Sequence, residues 1–236
     1  MLYNIKELYG NKLAAKDGDI GQAKDFYFND KSWVIRYLVA DTGSWLTGRL
    51  VLLSPHALGH PDRVGKILTV NLTRKQIEDS PSIDAHKPVS RQFEIEYYRY
   101  YGWPTYWDGG AMWGLGGYPV IMPLSKDEIA ANQQHHHRDD KHLRSARAIT
   151  GYQIHTVDGV IGHVSGLMVD DKSWAISELV VESGHWYAGK EILISPSKVE
   201  RISYVESTVF VNLTKADIQG TAENNLAHAG AGQSAP

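Results

Sequence analysis

Few residues in this 236-residue chain stand where chemistry would need them. Asp41-Thr42-Gly43-Ser44 has the form of an aspartic-protease loop, a chemistry that requires two carboxylates sharing one proton. The run His135-His136-His137-Arg138-Asp139-Asp140-Lys141-His142 offers metal-binding residue types. Adjacent residues on a helix do not converge on one ion, whereas residues four apart do, so the run reads as an exposed polar linker and not as a metal site. The third candidate is aromatic. Ten aromatic residues fall between Arg91 and Tyr118, and of these Trp103, Tyr106, Trp107 and Trp113 are the candidate partner- or ligand-contacting residues. Their rings either pack as a covering or form a stacking platform for a planar or sugar-like ligand. Single-stranded nucleic acid is disfavoured there, since only Arg91 and Arg99 bring positive charge.

The remaining chemistry is bounded by what the chain lacks. With no cysteine there is no thiol nucleophile, disulfide, zinc ribbon or iron–sulfur cluster. There is no Gly-x-Ser-x-Gly elbow, phosphate-binding loop, His-Glu-x-x-His or dinucleotide fingerprint, so the expectation is no enzyme, no catalytic residue and no cofactor. A formal charge of −3 provides no general attraction to a phosphate backbone. No stretch approaches the ~20 apolar residues of a membrane span, and the first residues have no apolar signal region, which reads as a soluble, cytoplasmic chain.

The elements that would position these residues come from an internal repeat. Shifting the chain by 141 positions aligns its halves without a gap: Asp17-Gly18-Asp19-Ile20-Gly21 falls on Asp158-Gly159-Val160-Ile161-Gly162, and Asp30-Lys31-Ser32-Trp33 on Asp171-Lys172-Ser173-Trp174. Gly43-x-Trp45-x-x-Gly48 falls on Gly184-x-Trp186-x-x-Gly189, Ser54-Pro55 on Ser195-Pro196, and Val70-Asn71-Leu72-Thr73 on Val211-Asn212-Leu213-Thr214. About a third of positions 10–77 are identical to their partners, which marks a duplicated domain. The repeat also tests the protease motif: Asp41-Thr42-Gly43-Ser44 becomes Glu182-Ser183-Gly184-His185, and only the glycine of a turn survives.

Within each copy the runs between turn signals are short and rich in β-branched and aromatic residues, as in the Trp-led runs 33–39 and 174–180, which predicts strands. Strands are also expected at 45–53 and 66–72 and at their repeats. A small antiparallel sheet buries its faces best by closing on itself, so each copy is expected to form a barrel. Thr73 with Gln76, flanked by Leu72 and Ile77, predicts a capped and stapled helix start, repeated by Thr214, Asp217, Leu213 and Ile218. Leu124 to Ile129 carries the same pattern.

Asp-Gly-x-Ile-Gly, the tryptophan after Asp-Lys-Ser, Gly-x-Trp-x-x-Gly and Ser-Pro, in this order, resemble the PRC-barrel family, which is named from the photosynthetic reaction-centre H subunit and also occurs in the ribosome maturation factor. The resemblance covers about 68 residues of each half. The tandem arrangement is similar to that of bacterial two-barrel members. It implies a mainly β fold of two small antiparallel PRC-type barrels, acting as a binding or assembly module for a protein or ribonucleoprotein complex. It brings no catalytic residues, because the shared positions Gly18, Gly21, Trp33, Gly48, Gly159, Gly162, Trp174 and Gly189 are structural.

The expected organisation is a first barrel with its helix at 1–80, an aromatic and Gly-rich connection with the His-rich linker at 81–148, a second barrel at 149–220 and a disordered tail at 221–236. In the connection, Phe93, Tyr97 and Tyr101 at four-residue spacing predict an amphipathic helix over 91–101, ended by Gly102. The segment that follows is too apolar to stay in water, so it is expected to pack on both barrels or seal a homodimer, with Trp103, Trp107 and Trp113 as the deepest anchors and tyrosine hydroxyls at the rim. Copy one, residues 10–77, has ten Lys and Arg against six Asp and Glu, a net +4; copy two, 151–218, has five against nine, a net −4. Opposite surfaces on one scaffold suit either mutual attraction or different partners. The alternative function is a small-ligand or metal-responsive protein using the central aromatic and histidine segment.

Overall fold

The computed structural model describes residues 1–46, 48–80, 91–103, 142–184 and 190–219. In the first half, β1 (Leu2–Asn4) and the single turn α1 (Ile5–Leu8) precede β2 (Lys12–Ala15), β3 (Gly18–Asn29), β4 (Val34–Asp41), β5 (Leu50–Leu53), β6 (Leu58–Asp62), β7 (Ile67–Val70) and α2 (Arg74–Glu78). α3 (Arg91–Tyr101) follows. The second half repeats the series: β8 (Leu143–Ser145), α4 (Ala146–Ile149), β9 (Gln153–Thr156), β10 (Gly159–Asp170), β11 (Ile176–Ser183), β12 (Glu191–Ile194), β13 (Val199–Ser203) and β14 (Thr208–Val211). The protein is mainly β, in two sheets of one design. Strand order is β5-β4-β3-β2-β7-β6 in the first and β12-β11-β10-β9-β14-β13 in the second.

The sheets are not wholly antiparallel, contrary to expectation. β2 pairs parallel with β7, Leu13 opposite Leu68, and β9 parallel with β14, Ile154 opposite Val209. After β5 the chain turns at Pro55–Ala57 and reverses once more through β6, which delivers β7 beside β2 running the same way. The predicted strand at 45–53 is also shorter than expected, because Gly48 N–H closes a turn onto Gly43 C=O at 2.6 Å and pairing begins only at Leu50.

Long strands bend where the register slips. β3 and β10 carry bulges at matching places, Ala23/Asp25 and Val164/Gly166, and their partners β4 and β11 carry one each opposite Tyr27/Phe28 and Met168/Val169. With a further bulge on β3 opposite Leu13/Ala14, the inward phase is reset twice, so Ile20, Ala23 and Phe26 reach the core at three-residue spacing before Phe28 resumes the period of two. Gly21 and Gly162 occupy matching places on these strands. At φ +112° and +157° they lie so close to the facing strand that a Cβ would overlap the carbonyl oxygens of Asp41 and Glu182. Gly162→Ala is therefore expected to destabilise the protein by about 2–4 kcal/mol in urea denaturation, since both overpacking and backbone strain oppose it.

Helix caps follow the predicted pattern. Thr73 Oγ1 accepts from Gln76 N at 3.2 Å while Gln76 Oε1 accepts from Thr73 N at 2.9 Å, and Thr214 and Asp217 do the same at 3.2 and 2.9 Å. Ile77 and Ile218 are buried beneath them. The Asp-Gly turns have a second use: Asp17 accepts from Arg74 N at 2.7 Å and Asp158 from Lys215 N at 3.0 Å, tying each hairpin to the helix at the far end of its copy.

The two copies exchange their first elements. β1 does not join its own sheet; it pairs with β10 of the second copy, Tyr3 opposite Val169, and β8 pairs with β3 of the first, Arg144 opposite Phe28. The correspondence at offset 141 thus reaches back to Leu2 and Leu143, before the part where identity is visible. At the centre, Trp33 and Trp174 are not strand residues, as the Trp-led runs suggested, but turn residues at φ +53° and +54°. That left-handed step aims each carbonyl across the seam: Ile35 N donates to Trp174 O at 2.8 Å and Ile176 N to Trp33 O at 2.7 Å. A single apolar core runs through both copies, including a stack of Phe26 on Trp174 at 6.1 Å.

The arms are matched to their hosts. Ser145, which caps α4, donates to Asp25 Oδ2 at 2.5 Å, and Asp25 Oδ1 accepts from Arg147 N at 3.1 Å. In the other groove the residue equivalent to Asp25 is Gly166, and a Cβ there would strike the side chain of Asn4, the cap of α1. Asparagine faces glycine, and serine faces aspartate. Returning each arm to its own sheet would set Asn4 against Asp25 and leave Ser145 over a void.

Candidate functional site

The aromatic helix is where periodicity placed it. α3 spans Arg91–Tyr101 and Gly102, at φ +70°, ends it. Its described face lies on the outer side of β4 and β5, where Tyr97 and Tyr98 form a second apolar cluster with Tyr37, Val39 and Leu52. Tyr97 O–H donates to Leu52 O at 2.8 Å and accepts from Ser54 N at 3.0 Å. Tyr37 O–H donates to the fully buried Glu94 at 2.9 Å. Tyr100 donates to Gln76 O at 3.0 Å and ties the helix to α2. Burial pushes the phenols of Tyr98 and Tyr101 up to about 12, so both remain protonated donors at neutral pH.

This overturns one expectation about the segment. Among the described residues its deepest anchors are Tyr97 and Tyr98, not Trp103, and the Tyr97 hydroxyl has no need of the rim because the backbone of Leu52 and Ser54 satisfies it inside. The described part, 91–103, packs on the first copy, while the exchanged arms and the Trp33–Trp174 seam join the copies.

From Gly102 the chain leads Trp103 to the edge of that cluster. Its indole is half-buried, stacked on Tyr101 at 4.5 Å and 14° and on His56 at 5.5 Å and 18°. His56 stands in the turn after β5, where Ser54 Oγ accepts its N–H, and faces a cleft of about 380 Å³ between the copies. Leu58 and His60 line the cleft from the first copy, Asp171, Lys172 and Trp174 from the second. His60 Nδ1 lies 3.2 Å from Asp171 Oδ2.

Burial, with the Arg36 charge nearby, holds the His56 imidazole below its usual 6.5. At neutral pH it is an uncharged ring with one donor and one acceptor nitrogen. Between the lowered value and 6.5 the unfolded chain binds more protons than the folded one, so stability should fall as pH drops through that window. An NMR titration of the His56 ring should give a midpoint below 6.5, and His56→Gln should remove that part of the pH dependence of unfolding.

Chemically, the cleft offers a neutral imidazole, a histidine–aspartate pair and an aromatic rim, with no hydroxyl or thiol among its lining side chains to serve as nucleophile. No group of three or more His, Asp or Glu side chains suited to a metal occurs among the described residues. These features suit recognition of a surface or a small polar ligand.

Of the residues singled out from sequence, Gly18, Gly21, Gly159 and Gly162 lie in the hairpins, and Gly48 in its turn at φ +77°. Trp33 and Trp174 lie at the seam. Tyr106, Trp107, Trp113 and Gly189, with His135–His137, the helix start at 124–129 and the tail, fall outside the described residues. His56, His60 and Asp171 were not anticipated. The repeat hides the histidines, since their counterparts are Ser197 and Arg201, and Asp171 looked like part of a turn.

No helix among the described residues is long and apolar enough to cross a membrane. No known protein family matches the chain, and no curated protein matches it.

Proposed function

We propose that the chain is a non-catalytic binding and assembly module, each sheet curled into a PRC-type barrel, and that it docks a protein partner through the rim made by Trp103, Tyr101 and His56. The observation that carries this reading is the position of Trp103: held rigid between two rings, yet only half-buried, beside a cleft that spans both copies. Pre-ordered aromatic side chains of this kind lose little entropy on association and dominate interface energetics. The pattern of the repeat supports the reading. What both copies keep are turns, caps and seam contacts, whereas their charges and the rim residues differ, as in a scaffold whose faces have been given separate uses. The net charge of −3 favours a protein contact over a direct phosphate-backbone contact.

The test is affinity capture with the wild-type chain and with Trp103→Ala, whose folding is checked by circular dichroism. A partner retained by the first and lost from the second supports the docking rim. Capture that the substitution leaves unchanged, or no specific partner at all, rejects it.

A further inference from the structure

α3 covers the outer face of β4 and β5, and the repeat shows what that face becomes in the second copy. Leu52 and Ser54 are buried beneath the helix and Leu50 is half-buried, whereas their counterparts Glu191, Leu193 and Ser195 are all exposed, Leu193 at 43%. Leu143, at the margin of the tyrosine cluster, corresponds to Leu2, which is 42% exposed. Met168 stands where Tyr27 does, and Val180 keeps the buried place of Val39.

The outer edge of β12 also differs from that of β5. Ser183 N donates to Lys190 O, and alternate pairs of an antiparallel ladder are the bonded ones, so Leu193, opposite Val180, turns its N–H and C=O away from β11. In the first copy the Tyr97 hydroxyl joins the equivalent groups, donating to Leu52 O at 2.8 Å and accepting from Ser54 N at 3.0 Å. Among the described residues no hydroxyl takes that place at Leu193 O and Ser195 N.

Charge says what would fit. Tyr37 and Leu50 of the covered face become Glu178 and Glu191, and Asp41 becomes Glu182. Glu182 and Glu191 stand directly opposite each other, a like-charge pair that opposes pairing unless a cation joins it; His163 lies 3.6 Å from Glu182. Glu178 is the more specific signal. Its counterpart Tyr37 donates to Glu94 of α3, so a helix seated here in the same pose must bring a cation where α3 has Glu94. The α3 of a second molecule is thereby excluded, because its Glu94 would meet Glu178 and its charges, Arg91 and Arg99 against Glu94 and Glu96, sum to zero.

We propose that the outer face of β11 and β12 docks a lysine- or arginine-rich amphipathic helix of a partner protein, seated as α3 is seated on the first copy. Its apolar side lies on Leu193 and Leu2, its cations reach Glu178, Glu182 and Glu191, and a tyrosine hydroxyl joins Leu193 O to Ser195 N. The inference is independent of the rim at Trp103, which lies on other residues, so either can fail alone.

Two measurements on the full chain test it. In hydrogen exchange without any partner, the Ser195 amide should exchange at least about tenfold faster than that of Ser54. Equal protection would show that the chain itself already covers this edge, and would overturn the proposal. The second is an NMR titration with a side-chain-stapled helical peptide carrying residues 91–103 with Glu94→Lys and Glu96→Lys, stapled because so short a helix is marginal in water. Saturable amide shifts are expected at Leu2, Glu178, Leu193 and Ser195, with a Kd of about 100 μM or tighter, and the same peptide with both glutamates kept should bind at least about tenfold more weakly. Tyr97→Phe in the peptide should weaken binding about threefold, the loss of one bridging hydroxyl. Glu178→Gln and Leu193→Ser in the chain, each checked by circular dichroism, should each weaken it about tenfold. Equal binding of the unaltered peptide, shifts spread over Glu200 and Glu206 or confined to the first copy's seat, or an affinity unchanged in both variants would overturn the proposal. So would a peptide that adds to β12 as an extended strand, seen as backbone contacts along that edge.

Discussion

Cutting the chain once between residues 104 and 141 is expected to leave a particle that still elutes as one body of the intact mass, 26.4 kDa, at protein concentrations of about 10 μM, and that comes apart only in denaturant. The reason is the arm exchange. Ile5 and Leu8 are buried with the second copy's sheet as host, and Ala146 and Ile149 with the first copy's. Each large apolar side chain withdrawn from water contributes about 1.5–3 kcal/mol. Two strand ladders and the paired bonds at Trp33 and Trp174 add direction to that attraction. A separate body in each half would behave otherwise, since inter-domain contacts in one chain are commonly modest and yield to domain motion once the tether is gone. Size-exclusion chromatography with light scattering on the nicked protein decides the matter. Two species of about half the mass, without denaturant, would show that the arms do not hold the copies.

The second large effect is expected at the seam. Trp174→Ala should lower stability by about 3–5 kcal/mol, the range for removing a buried tryptophan. Its ring is 3% exposed and stacked on Phe26 of the other copy, so the cavity would open between the halves and not within one. Urea denaturation should show one cooperative transition, moved to lower midpoint, whichever half is monitored. A loss within about 0.5 kcal/mol would mark the tryptophan as a surface residue, and two separated transitions would mark the copies as independent.

Much of this architecture was legible in the residue string, and its legible parts share a cause. The Thr73 and Thr214 caps, the end of α3 at Gly102 and the Asp-Gly hairpins each depend on side chains within four residues of one another, so their chemistry is written locally. The duplication itself needed only comparison of the chain with itself. The parallel pairing of β2 with β7 was not legible, because Leu13 and Leu68 are buried whichever way the partner runs. The site was harder still. His56 and His60, from the turn after β5 and from β6, and Asp171, from a turn 111 or more residues further on, are brought to one cleft by the seam and by nothing in their neighbourhoods. The spacing of Phe93, Tyr97 and Tyr101 marks one face of a helix, but which face of which sheet receives Tyr97 and, beside it, Tyr98 depends on Tyr37, Val39 and Leu52, for which the second copy has Glu178, Val180 and Leu193.

Sequence alone determined that there are two copies of one mainly β unit, where their turns and helix starts fall, and that a tyrosine-rich helix lies between them. Those features are decided by backbone preference and by contacts between near neighbours, which a string of residues records directly. The tertiary structure alone decided that the copies trade their first strands. A three-residue strand such as Leu2–Asn4 is too short to display a period, and residues 1–9 share little identity with 142–150. Both sheets offer the same open edge to both arms. What breaks the tie is steric and hydrogen-bonding fit over long range, Asn4 against Gly166 and Ser145 against Asp25, and that fit exists only once all four residues have been brought together.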